Sequence, residues 1–351
     1  RAMSNNSKQV LVALSGGVDS TVCVHLLKEQ GYDVTGLVLK MSPAHEDTVK
    51  AAEESAGSLG IPLYVRDMTD LFQKQVIDYF AAEYMRGRTP NPCVICNPLV
   101  KFRTLTDTAD ELGIKWIATG HYARLEQNGC EVLLKRGISL KRDQSYMLNR
   151  LDQRVLSRLL LPLAELEKDT VRAIAAELGV SAAGKPDSQE NCFIPDNDYA
   201  GYIERHYGKS KSGVFISPEG KPCGQHAGIL HYTVGQRKGL GIALGRPVFI
   251  REIDPESGNI YLADSGKEYF SEILLEDVTT ISGRPLEPGT AEVKIRSAAP
   301  LCGAFVTPLD AKHAKIAFDV PQRATAKGQS AVLYQGDVVL GGGLIAACTA
   351  V

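Results

Sequence analysis

The sequence predicts an α/β fold in which an N-terminal domain built on a parallel sheet precedes a β-rich region. Between residues 9 and about 120, short apolar runs alternate with segments of helical periodicity, which indicates a parallel sheet covered by helices on both faces. After about residue 200 this periodicity disappears, and turn signals separate short β-rich runs, a pattern typical of a sandwich or a small barrel. We expect domain boundaries near residues 200 and 270.

The elements of the alternating part follow from local signals. The run 9–14 is continuously apolar, as a buried parallel strand is, and 18–30 repeats apolar residues at helical spacing up to Gly31. Asn128-Gly129, between two alternating segments, predicts a hairpin. The same criteria predict strands at 34–39, 63–65 and 116–118, helices at 46–59, 69–85, 152–161 and 168–178, and β-rich runs at 248–253, 259–262, 291–295, 315–319 and 330–334.

Composition excludes several classes of protein. The 39 Lys and Arg against 41 Asp and Glu give a net charge of −2, which excludes a bulk polycation, so any RNA binding needs a local basic patch. No apolar run reaches the roughly 18 residues of a membrane helix, and the polar start is unlike a signal peptide. Eight cysteines are too few for a disulfide scaffold and suit a reducing compartment. We therefore expect a cytoplasmic protein with no membrane partner.

A glycine-containing loop, Ser-Gly-Gly-Val-Asp-Ser at 15–20, joins the first predicted strand to the first predicted helix. The glycines permit a tight turn that points backbone N–H groups into one concavity, and the helix adds the positive end of its dipole. Ser15 and Ser20 add hydroxyl donors, and Asp19 can hold a metal ion or brace the loop. The loop is a candidate phosphate site without the lysine of a Walker A motif; a plain strand-to-helix turn is the alternative.

Two cysteine-containing segments are candidates for chemistry. Cys93 and Cys96 form a C-x-x-C pair among prolines at 90, 92 and 98, which predict a stiff loop rather than a continuous helix. Such a pair fits a redox pair, half of a zinc site or part of an iron–sulfur site; zinc is disfavoured because no second pair lies nearby. Cys192 lies in a polar segment, which favours an exposed thiol, either reactive or incidental. The other cysteines are predicted to be small buried core residues.

Together with further segments, these features give a specific resemblance. The chain resembles the MnmA (TrmU) family of tRNA-specific 2-thiouridylases, in the PP-loop ATP-pyrophosphatase superfamily, over almost its whole length. The matching segments are 15–20, 89–92 leading to Cys96, 118–123, 143–146, 186–194, 232–240, 328–332 and 340–343. The resemblance implies an adenine nucleotide α-hydrolase-like PP-loop domain (1–200), a β-rich central domain (201–270) and a C-terminal β-barrel (271–351) that grips tRNA.

The resemblance also implies a reaction. ATP, with Mg²⁺, adenylates O2 of the wobble uridine at tRNA position 34 in the tRNAs for Lys, Glu and Gln, pyrophosphate leaves, and sulfur displaces AMP to give 2-thiouridine. By the family pattern Cys192 carries the sulfur as a persulfide, and Cys96 is the nucleophile that releases it by forming a disulfide. Both need thiolate character, which we expect basic groups and helix ends to supply. The sulfur would come from a cysteine desulfurase or a sulfur-relay carrier protein.

Other family positions carry over onto this chain residue by residue. Those that match the ATP site are Ala13, Leu14, Ser15, Gly16, Gly17, Val18, Asp19, Ser20, Leu39 and Gly120. Those that match contacts with the target base or with tRNA are Asn91, Pro92, Cys93, His121, Arg142, Asp143, Gln144, Arg296, Ser297 and Gln329. Clusters of basic residues within 86–103, 135–150 and 205–238 fit contacts with tRNA phosphates, although charge runs are usually just solvated surface.

Cys93 departs from the family pattern, because many members have aspartate there. The third thiol leaves two routes open: Cys93, Cys96 and Cys192 jointly ligate a [4Fe–4S] cluster that binds hydrosulfide, or sulfur moves as a persulfide without a cluster. Two other functions also stay open. A PP-loop ligase or amidotransferase for a small molecule would need no paired thiols, and a non-catalytic RNA-binding or iron–sulfur protein would release no pyrophosphate from ATP.

Overall fold

The fold is described from a computed structural model, in which residues 8–180, 191–323 and 326–350 are described. The helices are α1 (Val18–Glu29), α2 (Glu46–Leu59), α3 (Thr69–Phe72), α4 (Asp78–Met85), α5 (Pro92–Cys96), α6 (Phe102–Glu111), α7 (Gln153–Leu156), α8 (Lys168–Glu177) and α9 (Tyr199–Tyr207), with π-helical turns at Gln73–Ile77 and Asn97–Lys101 and 3₁₀ turns at Pro43–His45, Ser145–Leu148 and Ile229–His231. The strands are β1 (Gln9–Ala13), β2 (Asp33–Lys40), β3 (Leu63–Asp67), β4 (Trp116–Ala118), β5 (Ala123–Asn128), β6 (Glu131–Arg136), β7 (Leu159–Leu160), β8 (Gly213–Ile216), β9 (Pro222–His226), β10 (Val248–Ile253), β11 (Ile260–Asp264), β12 (Tyr269–Thr280), β13 (Gly289–Lys294), β14 (Cys302–Pro308), β15 (Ala314–Arg323), β16 (Ser330–Gln335) and β17 (Val338–Ala350).

The N-terminal sheet has five parallel strands in the order β3-β2-β1-β4-β7. Its central strand is buried on both faces: Val10 and Val12 belong to a core with α1 and α2, whereas Leu11 belongs to a core with α4 and α6. The predicted parallel sheet with helices on both faces is therefore confirmed. Ligands of such sheets bind at the carboxyl ends of the strands, where the loop after β1, the residues after β2 and the residues after β4 meet.

Two helix predictions in this region are wrong. Prolines do not prevent a helical run from Pro92 to Glu111, because Pro92 occupies the first turn, where its missing N–H is not needed. Pro98 lies in the π-helical turn Asn97–Lys101, whose wider hydrogen-bond pattern accommodates it. The predicted helix 152–161 is only α7, and the apolar residues after it form β7 beside β4.

The second half of the chain contains two further β structures. Strands β10-β11-β8-β9 form a small mixed sheet. Strands β12-β15-β14-β13-β16-β17 form an antiparallel barrel, which the pairing of β12 with β17 closes. The predicted fold class, with a β-rich central part and a C-terminal barrel, is thus confirmed. Helix α9, which the sequence did not predict, precedes the small sheet.

The predicted hairpin around Asn128-Gly129 is confirmed as β5 and β6, but it does not belong to the parallel sheet. Val338 of β17 pairs with Lys135 of β6, so the hairpin extends the barrel sheet. The barrel and the PP-loop region are therefore joined by main-chain pairing. Among the described residues, no helix is long and apolar enough to cross a membrane.

Candidate active site

The loop at 15–20 turns tightly between β1 and α1 at the carboxyl edge of the sheet. Gly16 has a φ of +73°, and a Cβ there would lie 2.3 Å from the backbone carbonyl carbon of Ala51 in α2. The loop therefore runs directly against α2, a path open only to glycine. Gly17 caps α1 without a side-chain partner, so the positive end of a twelve-residue helix faces the concavity.

Hydroxyl groups hold the loop in shape. The Ser20 Oγ donates to the Gly17 carbonyl (3.1 Å) and accepts from the Ser15 N–H (3.2 Å), and the two serine Oγ atoms lie 3.2 Å apart. The predicted hydroxyl donors thus bond to the loop itself in this conformation. Ala13, Leu14 and Val18 flank the loop at the end of β1 and the start of α1.

Asp19 braces the loop rather than standing alone as a metal ligand. Its carboxylate accepts from the Lys168 ammonium at 2.7 Å through both oxygens and from the Tyr122 hydroxyl at 2.7 Å. Only 11% of the Lys168 side chain is exposed, so this charge lies close to the phosphate loop. The residue after β4 that passes close to Asp19 is Gly120, and a Cβ on it would lie only 3.1 Å from the Asp19 backbone. Leu39, at the end of β2, is buried in the core.

The three cysteines singled out by sequence meet in one small cavity of about 50 Å³, named here the thiol cavity. Cys93 and Cys96 reach it from α5, whose N-cap Asn91 accepts from the Cys93 N–H at 3.1 Å. Cys192 reaches it from 96 positions further along the chain. The rest of the lining comprises Met41, Phe72, Val76, Pro92, Asn97, Lys101, Asn191 and Phe193. Met41 follows β2, so the cavity lies at the same edge of the sheet as the phosphate loop.

Burial keeps the three thiols protonated in this state. Desolvation raises the pKa of Cys96 to about 12, and Lys101 only partly opposes it. Cys192 is exposed as a whole residue. Its sulfur is nevertheless surrounded by other atoms, and this desolvation raises the pKa of the thiol to about 11. Burial also raises the pKa of Cys93. The expected thiolate character is therefore absent from this state.

The three thiols share a cavity but are not grouped as metal ligands in this structure. Among residues 8–180, 191–323 and 326–350, no three His, Cys, Asp or Glu side chains are grouped so as to hold a metal ion.

All three parts of the chain match known families. Residues 8–196 match the tRNA methyl transferase HUP domain, residues 200–264 the tRNA methyl transferase PRC-barrel domain, and residues 270–345 the aminomethyltransferase beta-barrel domain. Three curated relatives are each named tRNA-specific 2-thiouridylase MnmA. The protein of Acetivibrio thermocellus is 44% identical over 97% of this chain and 99% of its own. The protein of Clostridioides difficile is 43% identical over 97% and 98%, and that of Clostridium acetobutylicum 41% over 97% and 99%.

The chain belongs to the MnmA family. The resemblance seen in the sequence is thereby confirmed. Of the matching segment 186–194, residues 186–190 lie outside the described residues.

Several residues matched to tRNA contacts of the MnmA family are engaged inside this protein. The Asp143 carboxylate accepts from the N–H groups of Gly137 (2.9 Å) and Ser145 (3.0 Å) and is almost fully buried. The Gln144 Oε1 accepts from the Tyr122 N–H at 2.9 Å. These two residues shape the loop 137–144, while Arg142, beside them, is half-buried.

His121, after β4, is half-buried and packs against the start of α6. Its Nδ1 is 2.8 Å from the Thr119 Oγ1, and its ring packs on Phe102. Burial, with a smaller contribution from Lys101, lowers its pKa to about 3. The imidazole is therefore neutral.

Residues of the C-terminal barrel region bind the segment just before α5, the helix that carries Cys93 and Cys96. Thr89 donates its N–H to the Lys327 carbonyl at 2.8 Å and accepts from the Gln329 Nε2 at 2.7 Å. Arg88 pairs with Glu276 of β12 at 2.5 Å. Gln329 thus positions the entry to α5, whereas Arg296 and Ser297 are half-buried in the loop after β13.

Sequence reasoning missed Lys168, Tyr122 and Lys101 as site residues. Tyr122 lies within the matching segment 118–123, which was the one available signal for it. Lys168 gave no signal, because its partner Asp19 lies 149 positions earlier. One cysteine prediction is also wrong: Cys130, at the hairpin turn, is exposed, and Cys223, Cys302 and Cys348 are half-buried, whereas Cys23 is a core residue as predicted.

Proposed function

We propose that the protein is a tRNA 2-thiouridylase that adenylates O2 of the wobble uridine in the tRNAs for Lys, Glu and Gln and replaces this oxygen by sulfur. The observation that carries the proposal is the phosphate loop and the thiol cavity at one edge of the sheet. This arrangement would put a site for ATP beside a source of sulfur. The names of the MnmA relatives support the same reaction.

The first half of the reaction is activation of the base. The loop at 15–20 and the start of α1 would bind the phosphates of ATP, and Leu39 and Gly120 would border the adenosine. The uridine O2 attacks the α-phosphorus, and pyrophosphate leaves. Mg²⁺ would bind mainly to the phosphates, as it usually does, with Asp19 as the nearby carboxylate once Lys168 releases it. Activation is required because AMP is a far better leaving group than oxide.

The second half is transfer of sulfur. Cys192 would accept a sulfur atom as a persulfide, and the thiol of Cys96 would then attack the Cys192 sulfur. A disulfide forms between the two cysteines, the terminal sulfur leaves as hydrosulfide, and the thiol proton passes to water. Hydrosulfide adds to C2 of the uridine, and AMP leaves. A cellular dithiol would then reduce the disulfide.

The sulfur donor we propose is a cysteine desulfurase or a sulfur-relay carrier, and the compartment is the cytoplasm, which suits eight free cysteines. Asn91, Pro92 and Cys93 would face the target base. His121, Arg142, Asp143, Gln144, Arg296, Ser297 and Gln329 would contact or shape the tRNA site. The proposed domains are 1–200 (catalytic), 201–270 (central) and 271–351 (barrel).

A thiolation assay tests the reaction. The protein is incubated anaerobically with unmodified tRNA for Glu, Mg²⁺ and sulfide, with or without ATP, and the digested tRNA is analysed by mass spectrometry. We expect 2-thiouridine at position 34 only with ATP. Absence of product with folded protein, intact tRNA and both sulfide and a desulfurase as donors would overturn the proposal in favour of another PP-loop acceptor.

Removal of Cys93 separates the persulfide route from the cluster route. Because the cluster-free route needs only Cys96 and Cys192, we expect Cys93→Ala to lower the thiolation rate less than about tenfold, with no cluster iron in either protein. Iron is measured on anaerobically purified wild type and variant. Wild-type protein with about four irons per chain, lost together with activity in the variant, would refute the cluster-free route.

A further inference from the structure

Within the part of the chain that the structure describes, one lysine lies among the three thiols without a carboxylate partner. Lys101 lines the thiol cavity with them and is half-buried. Its charge acts on all three thiols and on the rings of His45 and His121. Within the described part of the chain, Lys101 forms no ion pair, and no acidic group joins the thiols around it. A half-buried ammonium without a counter-ion is a site for a small anion.

The backbone N–H of Lys101 acts on the Cys96 thiol in the same direction as its ammonium charge. Lys101 is the last residue of the π-helical turn Asn97–Lys101, and its backbone N–H helps to lower the pKa of the Cys96 thiol, against the larger effect of burial. Such turns are rare and recur at functional sites. The turn thus directs both the main chain and the side chain of one residue at the thiol cavity.

The size and lining of the cavity restrict the anion. About 50 Å³ accommodates only a ligand of one or a few heavy atoms, which excludes a nucleobase or a nucleotide phosphate chain in this conformation. Phe72, Phe193 and Met41 form a soft, polarisable wall, and such groups make favourable contacts with sulfur. A small sulfur anion fits this chemistry better than a strongly hydrated oxyanion.

We propose that Lys101 and the thiol cavity form a binding site for hydrosulfide. This inference rests on the proposed function, in which attack of Cys96 on the Cys192 sulfur of the persulfide oxidises Cys96 to the disulfide and reduces the terminal sulfur to hydrosulfide. The ammonium would pair with the hydrosulfide as it leaves, so that the sulfur stays beside the cysteines until the adenylated uridine enters. No cluster iron is needed to retain it.

Direct binding tests the site without any turnover. Reduced protein is titrated anaerobically with sodium sulfide in a calorimeter at pH 8. We expect one hydrosulfide per wild-type chain, about tenfold or more weaker binding by Lys101→Met and Lys101→Gln, and binding within about threefold of wild type by Lys101→Arg. Lys74→Met is the control, because Lys74 is an exposed lysine on a neighbouring helical turn. Absence of wild-type binding, or equal affinities in folded variants, would overturn the site.

Turnover with sulfide as donor gives a second readout. Loss of the Lys101 charge is expected to raise the sulfide concentration at half-maximal rate about tenfold, with the KM for ATP and for tRNA within about twofold of wild type. A fall in kcat at an unchanged KM for sulfide would show that Lys101 acts on the reacting uridine and not on sulfide binding, and would contradict the proposal. If the wild type binds sulfide but forms no 2-thiouridine, the proposed function fails while the anion site stands.

Discussion

Replacement of Cys192 by serine is expected to reduce 2-thiouridine formation from a persulfide donor by about a thousandfold or more. A hydroxyl group cannot carry the transferred sulfur, so the variant removes the covalent intermediate and not merely a contact. ATP binding should be unchanged within about twofold, because the phosphates bind at the loop after β1. Thiolation is measured by mass spectrometry of digested tRNA, and ATP affinity by titration calorimetry.

A second cysteine provides the control for this result. Cys130 is exposed at the turn between β5 and β6, away from the thiol cavity, and Cys130→Ser should thiolate tRNA at the wild-type rate. Cys96→Ser should resemble Cys192→Ser but leave the persulfide on Cys192, which mass spectrometry of the intact protein detects as one added sulfur. Undiminished thiolation by both the Cys96 and the Cys192 variants would argue for a PP-loop enzyme that needs no paired thiols.

The parallel sheet and the phosphate loop could be predicted because their signals are local. The apolar run that forms β1 and the glycine pair after it lie within ten residues of each other, and the backbone needs of such a turn select glycine. The confirmed hairpin β5–β6 likewise depends on one dipeptide. Its pairing with β17, more than two hundred positions away, had no local signal.

The thiol cavity depends on contacts that spacing alone does not show. Cys192 joins Cys93 and Cys96 only through the fold, and family resemblance was what linked them beforehand. Lys101 looked like one member of a basic cluster, because a π-helical turn cannot be recognised from residue types. The prediction that prolines near Cys96 prevent a helix was wrong for a related reason. A proline destabilises a helix only where its missing N–H would have formed a hydrogen bond, and residue types alone do not show which positions those are.

The charge state of the thiols also differs from the expectation. We expected basic groups and helix ends to give Cys96 and Cys192 thiolate character, but among the described residues Lys101 is the cation that acts on the Cys96 sulfur, and burial raises the pKa of Cys96 to about 12. Desolvation depends on atoms from α3, α5 and the segment at Cys192, which come together only in the folded chain. A protonated resting state would also protect the thiols from oxidation until a sulfur donor arrives.

Gly16→Ala is expected to weaken ATP binding by about a hundredfold or more and to lower the free energy of unfolding by about 2–4 kcal/mol, the sum of left-handed backbone strain and overpacking. The added Cβ would meet the carbonyl carbon of Ala51 at 2.3 Å and the N of Ala52 at 2.6 Å. Both atoms belong to the backbone of α2, so no side-chain rotation relieves the clash. The loop must move away from α2, and its N–H groups then no longer converge on one phosphate.

Gly57→Ala on the same helix separates this local effect from a general effect of added volume. A Cβ at Gly57 meets nothing within 4 Å, and alanine within a helix is favoured over glycine by roughly 0.5–1 kcal/mol. We therefore expect Gly57→Ala to bind ATP normally and to unfold at a slightly higher temperature. Calorimetric titration with ATP and thermal unfolding of both variants give the comparison. Normal ATP affinity in Gly16→Ala would show that the phosphates do not bind at this loop, because no conformation of alanine reproduces its path against α2.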